Sequence, residues 1–138
     1  MHETTEPIVD RTRFAQAKAE LGGNFARIVG YFREDGEKAI AQIEQAMDLG
    51  SAAALVRPAH TLKGEALQFG AEPLGLTAET IEKAARDAVE QQNFPHNMIA
   101  EVARLRPLFA ASLAYFDSEL AAVAPPVRRV VGFGRKAI

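Results

Sequence analysis

Apolar residues recur at steps of three and four along most of this 138-residue chain, and this spacing is the strongest constraint on its fold. Such spacing places the apolar side chains on one face of an α-helix. The last long segment carries a stripe of seven: Met98, Val102, Leu105, Phe109, Leu113, Phe116 and Leu120. No segment shows the strict alternation or the clusters of β-branched residues that are typical of strands. The sequence therefore predicts an all-α protein.

Capping and helix-breaking residues divide the chain into five helical segments. Aspartate and serine cap helix N-termini, glycine ends helices, and proline suits a first turn. The residues that mark the boundaries are Asp10, Gly22, Gly23, Gly50, Ser51, Gly70, Pro73 and Pro95. We expect the second segment to run from Asn24 to Asp48 and the last from near Pro95 to about Leu120. Because short connections usually join antiparallel neighbours, the segments predict an up-down bundle.

The length of the chain suits a single domain. We expect a flexible N-terminal arm over residues 1–9, a helical bundle over 10–121 and a tail over 122–138. The tail begins around Pro125-Pro126 and continues as a basic, glycine-containing segment, which is typical of flexible chain.

Composition excludes several classes of function. The net charge of -2 gives no general attraction to nucleic acid or to an anionic membrane. The chain has no cysteine, which excludes disulfides and thiolate sites, and its three histidines, His2, His60 and His96, lie far apart in sequence. We expect no metal site. No apolar run is long enough to span a membrane and the N-terminus is unlike a signal peptide, so we expect a cytoplasmic protein.

The segment from Ala59 to Ala71 carries the most chemistry. On a helix with about 100° per residue, one sector collects the side chains that must be buried. These are Leu55, Leu62, Ala66 and Phe69, and the opposite face carries His60, Lys63, Gly64, Leu67 and Gln68. We therefore predict that the His60 ring points into solvent, with Lys63 one turn beyond it.

An exposed imidazole is substantially neutral near pH 7, so one ring nitrogen of His60 offers a lone pair. That nitrogen can attack the phosphorus of an aspartyl phosphate in line, because phosphoryl transfer depends mainly on positioning and charge neutralisation. Lys63 would then neutralise phosphoryl oxygens, Gly64 would leave room for another protein's active site, and Gln68 offers a hydrogen-bond donor. On spacing alone, a surface histidine near a lysine is more often an ordinary solvated pair. Gly64 favours the functional interpretation, because a glycine inside a helix lowers stability and its presence there needs another reason.

The run AHTLKG at residues 59–64, followed by Phe69-Gly70-Ala71, resembles the signature of the histidine-containing phosphotransfer (HPt) family. The stretch from Phe25 to Phe32 and the helix that contains Ile81 to Arg86 also resemble that family's flanking helices. The resemblance covers residues 10–120.

The resemblance implies a four-helix bundle with an additional short N-terminal helix. It also implies a phosphoryl carrier without kinase activity of its own. His60 would be the phosphorylation site, Lys63 the cation beside the phosphoryl group and Gly64 the residue that gives clearance. Gln68 and Arg86 would frame the site. The implied partners are the receiver domains of response regulators and of a hybrid histidine kinase. We expect a monomer without a cofactor, with Mg²⁺ bound only in the receiver.

Three residues depart from the family pattern or need interpretation. Glu65 stands where the family often has a small residue, and at the edge of the docking face it would tune partner choice through repulsion. Pro58 requires the helix either to kink or to restart with Pro58 in its first turn, and a restart would place His60 near a helix N-terminus. Glu82, four residues before Arg86, is interpreted as part of a solvated ion pair.

Three alternatives remain open. A sensor-kinase phosphoacceptor domain usually has an acidic residue after the histidine, whereas Thr61 follows His60, and the chain has no glycine-rich nucleotide site. The phosphoacceptor domain of a chemotaxis kinase has a similar motif. A helical scaffold without phosphoryl chemistry differs from all of these, because it would carry no acid-labile phosphate on His60.

Overall fold

A computed structural model of the protein describes residues 7–123. This part of the chain contains five α-helices: α1 (Arg11–Leu21), α2 (Phe25–Leu49), α3 (Ala52–Gln68), α4 (Glu72–Gln91) and α5 (Ile99–Val123). Short 3₁₀ turns at Gly22–Asn24 and His96–Met98 precede α2 and α5. The described residues form no strand, which confirms the all-α prediction for this part of the protein.

The predicted capping residues begin and end helices as their chemistry requires. Asp10 caps α1, with its Oδ1 accepting from the Arg13 N–H at 3.1 Å, and the Ser51 Oγ accepts from the Ala54 N–H at 3.1 Å. Gly50 ends α2 at φ +67°, a conformation that glycine adopts at little steric cost. These ends fix the lengths of α2 and α3 and therefore the position of His60 in the bundle.

The long helices close into a ring in which α2 and α4 each pack against both α3 and α5. The core between them contains an aromatic cluster whose ring centroids lie 5.2 to 6.0 Å apart. Its members are Phe14, Phe25, Phe32, Phe69, Phe109 and Phe116. Exposed ion pairs also join α2 to α5, with Arg106 bound to both Glu37 and Glu44. Burial of apolar surface supplies most of the stability, because exposed pairs contribute little.

The first helix is fastened to the turn between α3 and α4. The Asp10 N–H donates to the Gly70 carbonyl at 2.7 Å, and Arg13 Nε donates to the Gln68 carbonyl at 3.0 Å. Phe14 is buried against the aromatic cluster. Helix α1 thus covers the end of the helix that carries His60.

Four expectations from the sequence need correction. Helix α3 continues through Pro58, so a restart at that residue is wrong and His60 lies in the middle of the helix. Helix α5 begins at Ile99 rather than near Pro95, because a 3₁₀ turn precedes it. It ends at Val123, beyond the predicted limit of the bundle at residue 121. Val9 is buried in the core, so the packed chain begins before residue 10. Residues 1–6 of the predicted arm and residues 124–138 of the predicted tail lie outside the described residues.

Within residues 7–123, no helix is both long and apolar enough to cross a membrane.

Candidate functional site

His60 lies in the middle of α3, and its side chain is 59% exposed. The apolar residues assigned to the opposite side of the helix are buried: Leu55, Leu62, Ala66 and Phe69. The prediction that the His60 ring is exposed is therefore confirmed. The helix presents the ring to solvent because the buried stripe fixes its rotation against α2 and α4.

The His60 ring contacts Glu82 of α4. Glu82 Oε2 lies 2.9 Å from His60 Nδ1, and the Glu82 side chain is only 6% exposed. Its position in α4, four residues after Ala78 and three before Ala85, places it on the buried face of that helix. The interpretation of Glu82 as part of a solvated pair is therefore wrong.

Two cations complete the surroundings of the Glu82 carboxylate. Lys63 Nζ lies 2.9 Å from Oε1, and Arg86 donates to Oε2 from Nε at 3.0 Å and from Nη2 at 2.8 Å. Burial alone would raise the pKa of Glu82, but the hydrogen bonds from Lys63, Arg86 and His60 outweigh burial and lower that pKa to about 2. The group is therefore a carboxylate at neutral pH.

The charge on Glu82 determines which ring nitrogen of His60 carries the proton. A carboxylate has no proton to donate, so the contact with Nδ1 requires an N–H on that nitrogen. In a neutral ring, Nε2 then holds the lone pair. Nε2 is therefore the ring atom of this exposed side chain that could act as a nucleophile.

Lys63 and Arg86, which the sequence analysis placed around His60, meet at the same carboxylate. The Lys63 side chain is only 23% exposed, because its ammonium lies against the buried Glu82 carboxylate. Arg86 is 57% exposed and reaches the site from α4. Both cations touch the group that contacts His60, so the structure brings three of the five predicted site residues together.

Gly64 and Gln68 continue the exposed face of α3 beyond His60. A Cβ atom placed on Gly64 would meet no neighbouring atom within 4 Å, so packing inside this chain does not require glycine there. Gln68 is exposed and lines a shallow groove with Tyr31 of α2.

Glu65 lies in that groove between α2 and α3, beside Asp35. Its Oε1 atom is buried without a hydrogen-bond partner. Burial, and then the nearby Asp35 carboxylate, raise the pKa of Glu65 above its ordinary value. This acidic residue therefore flanks the exposed face of α3 on the side opposite Glu82.

Glu82 is the residue of the candidate site that sequence reasoning missed. Its spacing from Ala78 and Ala85 was a usable signal, because a glutamate inside an apolar stripe is buried and requires partners. No cluster in residues 7–123 contains the three His, Asp, Glu or Cys side chains needed to hold a metal ion.

A family model described as the Hpt domain matches residues 27–122. The chain belongs to this family. A similar solved structure is that of histidine-containing phosphotransfer protein B from Pseudomonas aeruginosa PAO1, at 22% identity and a TM-score of 0.74. The match covers 87% of this chain and all of that one, and it supports the fold. No curated protein sequence matches the chain.

Membership of the Hpt family confirms the resemblance seen in the sequence. It gives the chain a histidine phosphotransfer role in a phosphorelay of the two-component type. Hpt proteins interact with receiver domains and are phosphoryl carriers rather than kinases.

Proposed function

We propose that His60 is the phosphoacceptor of this chain. In this proposal, Nε2 of His60 takes a phosphoryl group from the aspartate of one receiver domain and passes it to the aspartate of another. A hybrid histidine kinase and a response regulator supply the two receivers, and the chain acts in the cytoplasm as a monomer. The observation that carries the proposal is an exposed imidazole whose Nδ1 is occupied by a buried carboxylate, which leaves Nε2 free.

The transfer would move the phosphoryl group directly from the aspartate to His60. The Nε2 lone pair forms the new N–P bond, and the bond from phosphorus to the aspartyl oxygen breaks and returns its electron pair to the aspartate. Lys63 and Arg86 bind the carboxylate that contacts the ring, and they would attract the phosphoryl oxygens. Mg²⁺ is expected in the receiver, and this chain would use no cofactor.

Gly64 and Gln68 support the proposal as parts of the docking face. The open space at Gly64 would accept the rim of the receiver's active site as it descends over His60. Gln68, two turns beyond His60 and exposed, would donate a hydrogen bond to the receiver. In the proposed architecture, α2 to α5 are the antiparallel up-down four-helix bundle and α1 is the additional N-terminal helix.

The test is phosphoryl transfer from a set of phosphorylated receiver domains to the full chain. We expect acid-labile phosphate on the wild type and none on His60→Ala. His96→Ala is the matched control, because His96 is also exposed and its ring packs against the Phe94 ring. Its labelling should equal that of the wild type.

The same preparation should incorporate no phosphate from ATP, because no kinase activity is expected. Labelling of His60→Ala by a phosphorylated receiver would contradict the assignment of the site. Autophosphorylation of the wild type with ATP would contradict the role as a carrier.

A further inference from the structure

The hydrogen bond between His60 and Glu82 has a consequence for the phosphorylated ring, and this inference rests on the proposed function. A phosphoryl group on Nε2 leaves Nδ1 as the one ring nitrogen that can still bind or release a proton. Glu82 Oε2 faces that nitrogen at 2.9 Å. The carboxylate therefore touches the atom whose protonation decides how the N–P bond breaks.

The two protonation states of the phosphorylated ring are very different phosphoryl donors. With a proton on Nδ1, cleavage of the N–P bond returns its electron pair to Nε2 and releases a neutral imidazole. Without that proton, the leaving group is an imidazolate anion, which is a much poorer leaving group. A neighbouring carboxylate favours the protonated, cationic ring.

We propose that Glu82 is a positioning residue that keeps the Nδ1 proton on His60 through the whole phosphotransfer cycle. The proton stays on Nδ1 when Nε2 attacks, while the phosphoryl group resides on the ring, and when the receiver aspartate attacks phosphorus. No proton has to be delivered to or removed from the ring, so proton transfer limits neither the acceptance nor the release of the phosphoryl group.

The surrounding charges are compatible with this role. Lys63 binds Oε1 and Arg86 binds Oε2, so the carboxylate keeps its charge and its place when the ring becomes cationic. The negative charge of a phosphoryl group on Nε2 would offset the repulsion between these two cations and the cationic ring. The other charged residues on these stretches of the two helices are Arg57, Glu79, Lys83, Asp87 and Glu90.

The test uses the full chain phosphorylated with phosphoramidate, which needs no receiver. Titration followed by ³¹P NMR gives the pH midpoint at which the phosphorylated ring loses its Nδ1 proton. In E82Q, which keeps the size of the side chain but removes the charge, we expect this midpoint to fall by about one pH unit. As the pH increases, the rate of transfer to a receiver should begin to fall at a lower pH in E82Q than in the wild type. At pH values below both midpoints, the two proteins should transfer at rates that agree within about twofold.

A variant at a neighbouring residue separates this role from general disruption of the site. K63Q removes a cation from the same carboxylate, and it should leave the midpoint unchanged or raise it, because a positive charge near the ring is lost. Transfer in this variant should slow at every pH. If E82Q does not fold, the midpoint of the native wild type is compared with that of the wild type in urea, and the native value should be higher by about one unit.

Equal midpoints for the wild type and E82Q, or for the native and urea-unfolded wild type, would overturn the inference. The proposed function would survive that result if receivers still label His60. A wild type that takes no phosphate on His60 from either donor would overturn the proposed function instead.

Discussion

Gly36 and Gly64 each lie inside a long helix, and a sequence assigns both the same stability cost. The structure separates them. Gly36 of α2 is buried, and a Cβ there would overlap the ring of Phe109 on α5. Gly64 of α3 is exposed, and a Cβ there would meet nothing. The first glycine is explained by packing within the chain, whereas the second has no such explanation, which favours the proposed docking face.

The largest expected effect comes from a side chain at the open glycine. G64Q should slow phosphoryl transfer from a receiver on the order of 100-fold, because it holds the partner's active site away from His60. Phosphoramidate is small and should label His60 in this variant at close to the wild-type rate. Both rates are measured on one preparation.

The matched control is Gly30 of α2, where an added Cβ also meets nothing. It lies three residues before Arg33, which pairs with Asp117 on α5, so it is on the side of α2 that faces away from His60. G30Q should leave both rates unchanged. Equal losses with the two donors in G64Q would show that Gly64 serves the local geometry of the histidine and would contradict the docking explanation.

The next effect concerns the buried glycine and is a loss of stability. G36A should lower the free energy of unfolding by about 1–3 kcal/mol, since Phe109 must move to admit the methyl group. Urea denaturation with a measured m-value gives this free energy. A stability equal to or above that of the wild type would mean that the helices separate easily and that Gly36 is not a packing residue.

At Gly64, substitution by alanine should change the free energy of unfolding in the opposite direction. G64A should raise the free energy of unfolding by up to about 1 kcal/mol, because alanine is the better helix former and nothing obstructs its methyl group. The same urea titrations provide the value. A destabilised G64A would remove the contrast between the two glycines.

The smallest effect is expected at Glu65, the neighbour of Gly64. Burial and Asp35 raise the pKa of Glu65, so this carboxyl group is harder to ionise in the folded protein than in the unfolded chain. The folded protein therefore loses stability as the pH rises above the ordinary pKa of a glutamate. E65Q should therefore be more stable than the wild type at pH 7, by less than about 1 kcal/mol, and the difference should vanish near pH 4. A difference that is constant with pH would show that the charge is not its cause.

The sequence predicted the helices and the exposure of His60 because both follow from local periodicity and capping. Phe69 and Leu62 are buried and His60 is exposed for the single reason that α3 has one apolar stripe. The role of Glu82 was missed because it depends on how α3 and α4 are placed relative to each other. Lys63 and Arg86 reach one carboxylate from two helices, and spacing along a single helix contains no information about such a meeting.

The attachment of α1 also influences the order in which the molecule assembles and opens. The contact between Arg13 and Gln68 joins residues 55 apart in sequence, whereas α3 and α4 are adjacent along the chain and share an extensive interface. Contacts of long sequence separation form late in folding, so α1 should dock after the α3–α4 hairpin has formed. It should also exchange its amide protons early, because it has few partners. The C-terminal turn of the helix that carries His60 is thus closed by the segment that we expect to dock last and to open first.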